Sequence, residues 1–254
     1  MELFDLTNSV AIVTGGNGGI GLGMALGLAK AGAAIVVAAR NKQKSDEAVK
    51  ELKALGAKST FISVDVEKES SCHALIASTV EQFGRLDILV NNAGISLPKM
   101  PEEYTLEEWS KVIQANLTSA FMCSQAAYPE MKKGGRGKII NVASGLAIVA
   151  APLSVPYAAS KAGMLQMGRA LATAWGKDNI QVNSVLPGWT DTDMTRGRRH
   201  SVAGFNERVI ARTPLGRWGE PDDFAGIAVF LASAASDFVT GGAFVVDGGY
   251  LISA

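Results

Sequence analysis

Tyr157 and Lys161 lie four residues apart at the start of a long helical pattern, so both side chains project from one helix face, one turn apart. A tyrosine hydroxyl, with a pKa of about 10, is a poor base at neutral pH. An ammonium held within a few ångströms favours the phenolate and makes the group a usable acid/base. Ser144 ends the apolar strand pattern of residues 138–143 and can add a second hydroxyl to the same small volume. Such a trio suits chemistry at a carbonyl or carbinol oxygen, where a proton is moved and a developing charge is steadied. Taken alone, Tyr-x3-Lys is met more often by ordinary helix-surface pairs, so the surrounding elements have to carry the argument.

The first of those elements is a phosphate site. Residues 10–14 form a short apolar β run, and Thr14-Gly-Gly-Asn-Gly-Gly-Ile-Gly21 follows it into a helical stretch over 20–31. Strand, glycine turn and helix N-terminus together cradle an anion, because glycines allow close backbone approach and the free N–H groups face it. The spacing is Gly15-x3-Gly19-x-Gly21 rather than Gly-x-Gly-x-x-Gly. A second strand over 34–39 ends in Ala39-Arg40-Asn41. An acid at that strand end would accept from a ribose 2′-hydroxyl, whereas an arginine would pair with a 2′-phosphate. With Arg40 present and no acid at Ala39, NADP(H) is favoured and NAD(H) stays possible; a solvated residue opening the next helix is the other reading of Arg40.

A surface helix over 42–55 leads to a third strand over 61–65, whose carboxyl end places Asp65 where adenine edges bind in such sheets. A helix over 70–83 and a strand over 86–90 come next, followed by Asn91-Asn92-Ala93-Gly94, small residues that let a nucleotide lie against the backbone. Residues 105–131 read as one long helix with Asn116 in its middle, either a satisfied core amide or part of a site. The Tyr157 helix runs to 175, a sixth strand covers 180–186, and Pro187-Gly188 breaks it at the end where sheet ligands sit. Residues 191–212 have weak periodicity and carry Arg196, Arg198, Arg199 and His200; an irregular segment of this length reads as a lid. A helix over 221–233 and a last strand over 243–246 complete the order.

The pattern predicts an α/β fold: a single doubly wound Rossmann-type domain over 1–254, with a parallel sheet of about seven strands and helices on both faces. At 254 residues and 48% hydrophobic composition the chain can bury one large core. Twenty-four basic residues balance 24 acidic ones, which argues against nucleic acid or an anionic membrane as partner and for a small-molecule substrate. Cys72 and Cys123, far apart and each within a helical pattern, fit reduced thiols and a cytoplasmic setting. No signal-peptide pattern, no apolar run of transmembrane length and no metal-ligand cluster is expected.

In combination, Thr14-Gly-x3-Gly-Ile-Gly21, Asn91-Asn-Ala-Gly94, Asn116, Ser144, Tyr157-x3-Lys161 and Pro187-Gly188 resemble the short-chain dehydrogenase/reductase family over essentially the whole chain. The resemblance implies a catalytic tetrad of Asn116, Ser144, Tyr157 and Lys161. Tyr157 would be the acid/base, Ser144 would orient the substrate oxygen, and Lys161 would lower the Tyr157 pKa and hold the nicotinamide ribose. Asn116 would position a water in the proton relay. It further implies that Gly15, Asn17, Gly19, Ile20 and Gly21 line the pyrophosphate and ribose. Asp65 and Val66 would meet the adenine, Asn92, Ala93 and Gly94 the ribose side, and Pro187, Gly188, Thr190 and Thr192 the carboxamide and phosphate. Relatives usually carry an aliphatic residue where this chain has Thr190.

Three functions follow as expectations. The opening Leu-Phe-Asp-Leu and the stretch from Arg212 to Glu220 look like gluconate and deoxygluconate dehydrogenases, which implies a small polyol, sugar or sugar acid. A 3-oxoacyl-carrier-protein reductase is the alternative, although Gly135 and Asp178 stand where those reductases carry carrier-binding basic residues. A non-catalytic redox sensor is the third, and the intact Tyr/Lys pair speaks against it. The resemblance also implies a homotetramer.

Overall fold

The structure, a computed structural model, describes residues 2–253. Seven strands form one parallel sheet: β1 (Val10–Thr14), β2 (Ala34–Ala39), β3 (Ser59–Ser63), β4 (Ile88–Asn91), β5 (Gly137–Val142), β6 (Ile180–Pro187) and β7 (Ala243–Val246). Their order across the sheet is β3-β2-β1-β4-β5-β6-β7. Every residue of β1, β4, β5 and β6 is buried, as expected for parallel strands covered on both faces.

Alternation along the strands divides the core in two. Ala11, Val13, Ile35, Val37, Ile140 and Val142 pack against α1 (Gly19–Lys30), α2 (Lys42–Ala54) and a later helix over Ala225–Ala232. Val10, Ile12, Val36, Leu89, Ile139 and Val182 face the opposite layer, which includes α3 (Glu69–Phe83). The α1 layer packs closely: a Cβ on Gly23 would lie 1.9 Å from the Pro221 carbonyl oxygen. The order in which successive strands join the sheet reverses between β1 and β4, and the crevice beyond their carboxyl ends is where ligands bind in open α/β sheets.

Two departures from the sequence pattern matter for the site. The helix expected over 105–131 is α4 (Leu106–Ile113) and α5 (Ser119–Lys133), joined by a wider π turn at Gln114–Thr118 that contains Asn116. Thr105 caps it, accepting from Glu108 N–H at 3.1 Å. A π turn carries no hydrophobic period of its own, and such turns recur at functional sites. The segment expected to be irregular, 191–212, contains two helices, α7 (Asp193–Ser201) and α8 (Phe205–Arg212). They close over a small aromatic core of Phe205, Val209 and Trp218, with Trp189 against it. Arg198 stacks on Phe205 and Arg199 on Trp218, so charged residues occupy positions that a periodicity reading needs to be apolar.

The remaining elements are α6 (Val155–Trp175), which carries Tyr157 and Lys161, and α9 (Ala225–Ala232). Cys72 on α3 and Cys123 on α5 are free and buried, their sulfurs 3.5 Å apart. No helix among the described residues is long and apolar enough to cross a membrane.

Candidate active site

The glycine turn after β1 is pinned from β4. Thr14 Oγ1 donates to the Val90 carbonyl and accepts from the Asn92 and Ala93 amides at 3.0 and 3.1 Å. Asn92 Nδ2 donates back to the Thr14 and Gly15 carbonyls. Asn92 thus supports the turn with its side chain while lining the crevice. Gly15 and Gly19 adopt φ of 64° and 52°, a region open to glycine at little cost. Gly21 is required by contact: a Cβ there would meet Asn92 Nδ2 at 2.4 Å.

The cleft above this turn fits a dinucleotide phosphate. No side chain caps the N-terminus of α1, so its first amides face the cleft without a side-chain partner. Gly15, Asn17, Gly19 and Ile20 line the cleft on one side, and Pro187, Gly188, Thr190 and Thr192 on the other. A Cβ on Gly19 would come within 3.1 Å of Thr192 Cγ2, so the two sides approach across the opening. Ala93 and Gly94 form its floor beside Lys161.

An adjoining cleft at the ends of β2 and β3 is lined by Arg40, Lys44, Val66 and Glu67. Arg40 is exposed and its Nη1 lies 3.7 Å from Glu67, an acid the strand-end reading did not anticipate because it arrives from the loop after β3. Lys44 was missed by the sequence reading. It belongs to the first turn of α2, reaches over Gly18 and pairs with Asp193 of α7. Asp65 lines neither cleft and serves a local turn, accepting from Glu67 N–H and pairing with Lys68 at 3.4 Å.

Ser144, Tyr157 and Lys161 converge where β5 ends. Ser144 is in extended backbone and accepts from Leu146 N–H at 3.1 Å, which fixes the start of the following turn. Lys161 is buried and donates to the Val142 carbonyl at 2.7 Å, with its Nζ 5.7 Å from the centre of the Tyr157 ring. Asn116 lies behind Gly94: its Oδ1 accepts from Ile95 N–H at 2.7 Å, and its Nδ2 donates to the Ile95 carbonyl and Ser160 Oγ, each at 3.0 Å. A Cβ placed on Gly94 would be 2.9 Å from Asn116 Oδ1 and 3.6 Å from Lys161 Nζ, so both face the same glycine.

Electrostatics here differ from the expectation that Lys161 lowers the Tyr157 pKa. Burial raises the Tyr157 hydroxyl above its ordinary value, and the Ser144 hydroxyl beside it pulls the other way. Burial also pushes Lys161 down to about 8. Desolvation disfavours the charged form of each group and is the largest cause of both shifts.

A substrate-side cleft opens on the other face of the same pair. Ser144 and Tyr157 line it together with Trp189, Met194, Arg198 and Arg212. Other cations of 191–212 point elsewhere. Arg196 pairs with Asp191 and Asp193, and Arg199 pairs with Asp191 at 2.9 Å, so two of the segment's positive charges are neutralised within it. His200 is exposed.

Comparison with known proteins agrees with this geometry. The family model described as Enoyl-(Acyl carrier protein) reductase matches residues 15–251. A 2-dehydro-3-deoxy-D-gluconate 5-dehydrogenase of Escherichia coli (strain K12) is 40% identical, covering 99% of this chain and 98% of its own. A gluconate 5-dehydrogenase of Gluconobacter oxydans (strain 621H) is 37% identical over the same shares. The crystal structure of a gluconate 5-dehydrogenase from Burkholderia cenocepacia J2315 in complex with NADP and tartrate superposes with a TM-score of 0.94 at 37% identity, covering 100% of this chain and 99% of that one. With the doubly wound sheet, the glycine turn at its crevice and the Ser-Tyr-Lys convergence in place, a match of this extent means that the chain belongs to the short-chain dehydrogenase/reductase family.

Proposed function

We propose that this protein is an NADP(H)-dependent oxidoreductase that interconverts a secondary alcohol and a ketone on a small polyol, sugar or sugar acid. The observation that carries the reading is the place of Ser144 and Tyr157, which line both the phosphate-side and the substrate-side cleft. A group lining both can exchange a proton with a substrate oxygen at the point where substrate and cofactor meet. The names of the gluconate and deoxygluconate dehydrogenases support the sugar-acid class, and the NADP held by the Burkholderia structure supports the cofactor.

A nicotinamide dinucleotide, when bound, supplies hydride transfer; the chain supplies alignment, charge and the proton. Residues 15–21 and 187–192 would hold its phosphates and carboxamide, Val66, Arg40 and Lys44 its adenosine end, and Lys161 its nicotinamide ribose. Tyr157 gives its hydroxyl proton to a carbonyl oxygen in reduction and takes it back from the alcohol in oxidation. Ser144 holds that oxygen by a second hydrogen bond. Lys161 keeps a positive charge behind Tyr157 below about pH 8, and Asn116 holds the Ile95 turn against the floor, with the remaining lone pair of Oδ1 available to a relay water. Residues 191–212 act as the lid of a single domain spanning 1–254.

The test is a panel of sugar acids, their neutral polyols and an acyl-thioester mimic, read by absorbance of the reduced cofactor with NADP(H) and NAD(H). Turnover of sugar acids or polyols, at higher kcat/KM with NADP(H) and with that preference reduced by Arg40→Ala, is the expected result. Turnover of the thioester alone would instead favour a 3-oxoacyl-carrier-protein reductase. One observation weighs against that alternative: Lys132, a cation near the end of α5, is paired with Asp178 at 3.2 Å, and Tyr128 donates to the same carboxylate.

Assembly as a homotetramer belongs to the same reading. Support comes from apolar side chains left exposed on α5 and α6 (Phe121, Val155) and around the β7 edge (Phe238, Val245). Light scattering should give four copies at micromolar concentration; a monomer contradicts it. The free thiols and the absence of a spanning helix among the described residues support a cytoplasmic place, which cell fractionation checks.

A further inference from the structure

Among the described residues no Asp or Glu lines the substrate-side cleft, yet two guanidiniums do, those of Arg198 and Arg212. Much of the remaining wall is apolar, including Leu146, Val149 and Met194. Cations beside apolar walls with no local counter-charge create a positive potential concentrated by the low-dielectric surroundings.

The lid sorts its own cations. Asp191 and Asp193 neutralise Arg196 and Arg199. Arg198, half-buried between them in sequence, has its guanidinium carbon 4.7 Å from the centre of the Phe205 ring and 5.8 Å from that of Trp189. Stacking on a ring uses the face of the guanidinium and leaves its edge N–H groups to point at a planar acceptor. Arg212 is held in the same manner, 4.5 Å from the centre of the Tyr250 ring, with Nε donating to the Ser253 carbonyl. That bond occupies Nε and leaves the terminal N–H groups of Arg212 to other acceptors. The two arginines come from different helices, α7 and α8, and line the same cleft as Ser144 and Tyr157.

We propose that Arg198 and Arg212 form an anion-binding end of the substrate cleft that selects hydroxy- and oxo-acids, with the carboxylate against the guanidiniums and the reacting carbon against Tyr157 and Ser144. The assignment rests on the oxidoreductase reading of the site and narrows its substrate from polyols, sugars and sugar acids to the acids. Charge-assisted hydrogen bonds to a carboxylate favour it over a hydroxymethyl group at the same position by about tenfold or more.

The test is calorimetric titration of the NADP⁺-loaded enzyme with D-gluconate, D-glucitol and D-glucitol 6-phosphate, which share one carbon chain. Gluconate should bind about tenfold or more tighter than glucitol, with an advantage that shrinks as salt is added. That advantage should vanish in Arg198→Gln/Arg212→Gln, return in part with Arg198→Lys, and persist in Arg196→Gln/Arg199→Gln. If the double variant does not fold, Arg198→Gln alone should lose most of the advantage. Equal binding of gluconate and glucitol overturns the proposal, as does an advantage that survives the Arg198 and Arg212 substitutions in protein that melts like the wild type. Tighter binding of the phosphate ester than of gluconate overturns the carboxylate assignment. Gluconate that binds with this pattern while no reduced cofactor ever forms would remove the dehydrogenase reading and leave the anion end standing.

Discussion

Burial holds Lys161 at about 8 against an ordinary value of 10.5, so the fold keeps an ammonium where desolvation opposes it. Between those two values the unfolded chain binds more protons than the folded one, and stability therefore rises with pH across that window. Below about pH 8 the destabilisation is fully present. Lys161→Met removes this titration, so the wild type should gain roughly 3 kcal/mol of unfolding free energy on the variant between about pH 7 and pH 10.5. Urea unfolding of both proteins at each pH checks it, and a pH-independent difference contradicts it. At this scale Ser144, Tyr157 and Lys161 were legible because their spacing is local to one strand end and one helix. The direction of the Tyr157 shift was not, because burial depends on what the rest of the chain stacks around it. Lys44 and Glu67 escaped notice for a related reason: each reaches its cleft from a neighbouring element, and sheet order rather than sequence distance makes them neighbours.

Between α4 and α5 the π turn turns a costly residue into a required one. Asn116, fully buried, makes three hydrogen bonds, two of them to the Ile95 backbone. Asn116→Ala leaves the Ile95 amide and carbonyl without these partners, at about 1–3 kcal/mol for each group that water cannot reach. We expect a loss of about 2–4 kcal/mol in unfolding free energy with helix content unchanged, measured by urea unfolding and circular dichroism. An unchanged midpoint would mean that the amide is dispensable to the fold. The strands were legible to within two residues because parallel strands covered on both faces are short apolar runs. The π turn and the helices α7 and α8 were not. A π turn has no sequence period, and α7 fills its contacts with arginine stems and rings in place of an aliphatic stripe.

For the whole molecule, balanced charge and a large core exclude little by themselves, but the order of motifs along the chain fixes which strand ends meet. The turn after β1, the Asn91–Gly94 run at the end of β4, Ser144 after β5 and Pro187-Gly188 at the end of β6 all lie at the carboxyl end of the sheet, because every strand runs in the same direction. That is why most of the candidate site was readable from the sequence. The charge of the substrate-side cleft was readable only in part: the sequence shows five arginines within 191–212, and the fold decides that Arg198 and Arg212 line the cleft while Arg196 and Arg199 are neutralised. The central claim, that Tyr157 moves the proton at the junction of the two clefts, is tested by one comparison. Wild type and Tyr157→Phe are assayed with NADP⁺ and a turned-over sugar acid, and NADPH binding is followed by its fluorescence. Tyr157→Phe should lower kcat by about 10²–10⁴ with cofactor affinity nearly unchanged, since the ring still packs and only the transferable proton is lost. A variant that keeps wild-type turnover would contradict it.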